Sequence, residues 1–127
     1  MATRSTIAME FSDGTVKQIY AHWDGYLSGN GNTLLQHYKS PADVAGLLAM
    51  GDLSSLAEDV DSTVFYGRDN GETNTAARRY DSFDMYRLEG ERESYNYIMR
   101  EGVWYVDRGP RGAFIPLIDA FREEERL

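Results

Sequence analysis

Residues 5–22 read STIAMEF-SDGT-VKQIYAH, two apolar-alternating runs around an Asp-Gly pair. Ile7, Met9 and Phe11 recur at every second position, the period at which strand residues return to one face. Asp13-Gly14 suits a two-residue hairpin turn in which both central residues take positive φ. A second hairpin is expected near the end of the chain. Tyr95, Tyr97 and Met99 alternate up to Glu101-Gly102, and residues 103–106 return.

The intervening sequence is mostly helical in pattern. SGNGNTLLQHY places Leu34, Leu35 and Tyr38 at helical spacing behind the capping candidates Asn30, Asn32 and Thr33. KSPADVAGLLAMG is a fuller helix: Ser40 at the N-cap, Pro41 in the first turn, Asp43 at the positive end of the dipole, and Gly51 after the last turn. Its apolar stripe is Val44, Leu47 and Leu48. DLSSLAEDV is expected to add a helical turn, and residues 63–66 a short strand. NTAARRYDSF reads as a weak helix with Ala76, Ala77 and Tyr80 on one side, and DMYRLEG as strand or helix. A final short helix is expected after Pro116, with Ile118 and Phe121 inward. Two hairpins flanking a helical middle predict one α+β domain, a mainly antiparallel sheet with helices packed on one face. The 127 residues suffice for one modest core and not for two.

Composition narrows the function classes. Cysteine is absent, which removes disulfides, thiolate metal sites and cysteine nucleophiles and fits a reducing cytoplasm. No apolar run approaches the ~20 residues of a membrane span, and the N-terminal MATRSTIAMEF has no signal-peptide core, so a cytoplasmic protein is expected. The net charge of −8 argues against broad nucleic-acid binding. Residues 41–62 hold Asp43, Asp52, Glu58, Asp59 and Asp61 with no Lys or Arg; residues 63–100 hold six arginines against seven acids. A local cationic surface can therefore exist on an acidic protein.

Three groups of residues carry candidate chemistry. In YAHWDGYLSGNGN, His22 beside Asp24 can act as a base or hydrogen-bond the loop it sits in. Trp23 and Tyr26 bracket Asp24-Gly25 ahead of a glycine-rich turn that matches neither the Walker nor the dinucleotide fingerprint. In YGRDNGE, Arg68 can grip an oxyanion in bidentate fashion or close a loop ion pair, while Asp69 and Glu72 are too few for a convincing cation site. Arg78 and Arg79 follow closely and, with Arg4, can complete a small anion pocket. No serine-nucleophile elbow and no zinc-ligand spacing is present, so no metal and no cofactor is expected.

The motifs TRS, the Asp-Gly hairpin, YAHWDGY, LLQHY, YGRDNGE and YNYIMREGVWYV together resemble a family of small proteins encoded in bacteriophage and prophage genomes. The matching positions are Thr3, Arg4 and Ser5; His22, Trp23, Asp24, Gly25 and Tyr26; Arg68, Asp69, Gly71 and Glu72; and Trp104 with Tyr105. Leu27 stands where the family often has proline, and Gly67 where it often has histidine, which removes a base or ligand from that loop. The resemblance implies a protein of the host bacterial cytoplasm that interferes with a host factor, a defence component in particular. The partner is then a host protein. Alternatives are a sponge for a phosphorylated nucleotide signal and a hydrolase of such a ligand with His22 and Asp24 as acid–base groups.

Overall fold

A computed structural model describes residues 2–108 and 113–125. The first hairpin joins β1 (Ser5–Glu10) to β2 (Val16–Ala21) in an antiparallel register from Ser5↔Ala21 to Glu10↔Val16. Its turn is a three-residue loop, not the two-residue turn that Asp13-Gly14 suggests. Phe11 N–H donates to Thr15 O at 2.7 Å, and Gly14 alone takes positive φ, at +88°. Asp13 stays on the ordinary side because its carboxylate accepts from both the Thr15 N–H and the Thr15 hydroxyl, which builds the loop around residue 14 instead. The second hairpin, β6 (Tyr95–Arg100) and β7 (Val103–Asp107), has the tight form: Glu101 and Gly102 have φ of 51° and 78°.

The two hairpins meet in parallel through β1 and β6, with Ile7 beside Tyr97 and Met9 beside Met99. The remaining strands are short: β3 (Leu53–Ser55), β4 (Val64–Phe65), β5 (Arg78–Tyr80) and β8 (Ile115–Pro116). The sheet runs β4-β3-β2-β1-β6-β7-β8, and β5 also pairs with β2. With α1 (Asn32–His37), α2 (Pro41–Ala49), α3 (Phe83–Glu89) and α4 (Leu117–Glu125), this is an α+β fold with a mainly antiparallel sheet.

Strand alternation divides the interior. Ile7, Met9, Ile19, Tyr97, Met99, Trp104 and Val106 face a large core that Leu34 of α1, Val44, Leu47 and Leu48 of α2, and Leu117 and Ala120 of α4 complete. On the opposite face Ala8, Val16 and Ile98 pack under Tyr86 of α3, with Phe83, Tyr80 and Phe114 around them. Helices α1, α2 and α4 thus lie on one face, as the pattern predicts, while α3 packs on the other.

Three segments differ from their sequence reading. Residues 78–80 form strand β5 rather than a helix: the open edge of β2 pairs Val16, Lys17 and Gln18 with them, and the Tyr80 hydroxyl donates to Gln18. The apolar Ala76-Ala77 spacing was a local signal, and the long-range ladder overrides it. Residues 53–55 likewise leave α2 as a strand and not a further turn, because Leu53 pairs with Ala21. In α4, Leu117 and Ala120 turn inward, whereas Ile118 is half exposed. The ambiguous DMYRLEG segment is helical, and Ser82 caps it through the Met85 N–H. The longer α2 forms as its sequence predicts, with the Ser40 side chain accepting from Asp43 N–H. No helix among the described residues is long and apolar enough to cross a membrane.

Candidate functional site at the Trp23 corner

Beyond Ala21 the chain leaves β2 and turns sharply through His22, Trp23, Asp24 and Gly25 into a single π-helical turn (Leu27–Gly31) that leads into α1. The backbone of this corner is held on all sides. His22 and Trp23 N–H groups donate to Leu53 O and Ser54 O, at 3.2 and 3.0 Å. Gly25 N–H donates to Thr3 O at 2.8 Å, and the buried Tyr97 hydroxyl donates to Gly25 O at 2.7 Å. Asn30, itself buried, donates from its side chain to Trp23 O and from its N–H to Asp24 O. Asp24 takes φ of 59°, a left-handed conformation that Asp tolerates better than most residues. Gly25 is required by space: a Cβ there would lie 2.8 Å from Thr3 O and 2.9 Å from the Arg4 carbonyl carbon, both backbone atoms.

On this frame the side chains point to solvent. Trp23 is 43% exposed and Tyr26 40%. The His22 ring meets Trp23 edge to face, with centroids 4.7 Å apart. His22 Nδ1 lies 2.7 Å from the hydroxyl of Tyr20, two residues back on the same face of β2. Arg4 directly precedes Ser5, the β1 partner of Ala21, and with Glu93 and Tyr66 it lies within electrostatic reach of the Tyr20 hydroxyl. Burial pushes the Tyr20 phenol above its ordinary value, with Arg4 opposing the rise. With the Tyr20 hydroxyl as the donor to Nδ1, the hydrogen of the neutral His22 ring sits on Nε2. The Tyr20 backbone is buttressed in turn: its N–H donates to Asp52 at 2.8 Å, and Asp52 pairs with Arg78 at 3.0 Å.

The structure places Arg4 and His22 beside Tyr20 and Trp23 against His22, with Asp24 and Tyr26 next along the chain. Asp24 does not partner His22. Its carboxylate accepts from the Tyr26 hydroxyl at 3.1 Å, a bond that raises the Tyr26 phenol above its ordinary value. A His22–Asp24 acid–base pair is therefore not assembled in this conformation.

The remaining arginines do not form a common anion pocket. Arg68 donates to both oxygens of Asp69 and to the carbonyls of Val60, Asp61 and Thr63, and lies over the Phe65 ring at 4.9 Å. Asp69 in turn accepts from Phe65 N–H at 2.7 Å. The guanidinium thus ties the 60–69 loop to itself, and Arg68 holds the Asp69 carboxyl below its usual range. Arg78 pairs with Asp52 and Glu91, and Arg79 with Asp81. Glu72 is exposed on the same loop as Asp69. No three His, Asp or Glu side chains converge as a metal site among the described residues.

Sequence reasoning overlooked Tyr20 and Asp52. The signal for Tyr20 was present, since a residue two before His22 on a strand shares its face. Asp52 carried no such signal, because only the parallel β2·β3 contact brings it to Tyr20. No family model, no curated protein and no solved structure matches the chain.

Proposed function

We propose that this is a non-enzymatic binding protein that engages a partner protein through the Trp23 corner. The observation that carries this reading is an exposed Trp23 on a backbone whose polar groups are tied to Thr3, to β3 and to Tyr97 of β6. A large aromatic group held in advance contributes contact area with little entropy left to lose, the property of an interaction anchor. The phage-family resemblance supplies the class of partner: a host factor in the bacterial cytoplasm, a defence component in particular. The spread of Arg68, Arg78 and Arg79 onto separate carboxylates favours this reading over a nucleotide sponge built on those arginines.

Affinity capture with the tagged protein from infected cells tests the proposal. A host protein retained by the wild type and lost with Trp23→Ala is the expected result. Equal retention by both proteins counts against the Trp23 corner.

A further inference from the structure

In an acidic chain the arginines have carboxylates to choose from, and among the described residues all but one take one. Arg68, Arg78, Arg79, Arg87, Arg92, Arg100, Arg108 and Arg122 each pair with an Asp or Glu. Arg4 is the arginine that holds no carboxylate within ion-pair distance among the described residues, and it is exposed. The β1–β2 register, with Ser5 beside Ala21 and Thr6 beside Tyr20, sets Arg4 next to His22, whose Nδ1 lies 2.7 Å from the Tyr20 hydroxyl and takes its proton when Nε2 carries the ring hydrogen. The outward His22 Nε2–H and the Trp23 indole N–H have no acceptor among the described residues either. Three N–H donors and one flat apolar surface therefore share one corner.

We infer that this corner binds a carboxylate that sits next to an apolar or aromatic group, such as an acidic side chain or chain terminus on the partner. Arg4 provides the charge and a forked pair of donors, His22 Nε2–H adds a directional donor, and Trp23 packs on the neighbouring apolar group. Tyr20 is a positioning residue: its hydroxyl fixes the His22 ring and tautomer without touching the ligand. The inference rests on the Trp23 corner being the binding surface and adds the chemistry that the partner must present.

Sodium benzoate is the probe, titrated against sodium chloride at equal ionic strength and followed through the Trp23 indole, His22 ring and Arg4 guanidinium NMR signals. The expected result is a saturable shift of these signals with benzoate. Arg4→Gln should weaken it by about ten-fold or more, the loss of one charge-assisted contact. Arg4→Lys, which keeps the charge and loses the fork, guards against a folding effect and should fall between the two. No shift beyond the chloride control, or an unchanged response in Arg4→Gln, overturns the inference. So does a saturable response to inorganic phosphate with none to benzoate, which would reassign the corner to phosphoryl groups. If benzoate fails while Trp23→Ala still abolishes capture of a host protein, the carboxylate is lost and the corner remains the binding surface. If benzoate binds as expected but Trp23→Ala leaves capture intact, the anion site stands and the partner reading fails.

Discussion

The Tyr20 hydroxyl and His22 Nδ1 are 2.7 Å apart at the end of β2, and the Ser5↔Ala21 register brings Arg4 alongside them. This arrangement makes the His22 ring a fixed donor toward solvent. It joins the N-terminal Thr3-Arg4-Ser5 segment to the HWDGY corner, two motifs well separated in sequence.

Tyr20→Phe should release the ring while leaving the fold intact. One hydrogen bond is lost, so stability is expected to fall by about 1 kcal/mol. The diagnostic readout is the His22 imidazole nitrogen signals. They should move from a single Nε2–H tautomer in the wild type toward a mixture in the variant. An unchanged tautomer would show that something other than Tyr20 orients the ring.

Two glycine substitutions should have opposite signs. Gly25→Ala drives a methyl into the backbone of Thr3 and Arg4, at 2.8 and 2.9 Å, and neither atom can rotate away. A loss of about 1–3 kcal/mol is expected, the range for overpacking. Gly46 lies on the exposed side of α2 with nothing within 4 Å of an added Cβ, so Gly46→Ala should stabilise by up to about 1 kcal/mol. Chemical denaturation of the two variants measures both.

The two tryptophans should separate stability from binding. Trp104 is 5% exposed, and its indole donates to Tyr38 O at 2.9 Å. Trp104→Ala should cost about 3–5 kcal/mol, the usual range for a buried aromatic. Trp23→Ala removes a half-exposed ring and should change stability by less than about 1 kcal/mol. Similar midpoint shifts for the two variants would contradict this division.

Acid should loosen the exposed loops. Three carboxyls, Asp69 beside Arg68, Asp59 at the Ser62 N–H and Asp13 at Thr15, are held below their ordinary value of 3.8. A carboxyl lowered in the folded state adds stability that is fully present above its unfolded value and disappears as pH falls through the folded one. Thermal midpoints are therefore expected to decline from about pH 4 downward, and the decline should be shallower in Asp69→Asn. An identical acid slope in that variant would remove Asp69 from the effect.

What could be read from the sequence was local. The hairpins at residues 13–14 and 101–102 and the Ser40-capped helix α2 each depend on residues a few positions apart, and each forms. Strands β3 and β5 depend on the open edge of β2, reached across more than thirty residues, and no neighbouring signal announces them. The site divided in the same way. His22, Trp23 and Arg4 stood out as residue types, but their meeting at Tyr20 requires the β1–β2 register. Arg68 illustrates the opposite case: a residue with the chemistry of an anion receptor is occupied by Asp69 and three carbonyls that only the folded loop presents.

The most direct measurement is quantitative capture of host protein from infected cells by wild type, Trp23→Ala and Arg68→Ala, each first shown to be folded. A discrete partner held by wild type and Arg68→Ala but lost with Trp23→Ala is the predicted result. A partner held equally by Trp23→Ala and lost with Arg68→Ala would contradict the assignment and move the binding surface to the 60–69 loop.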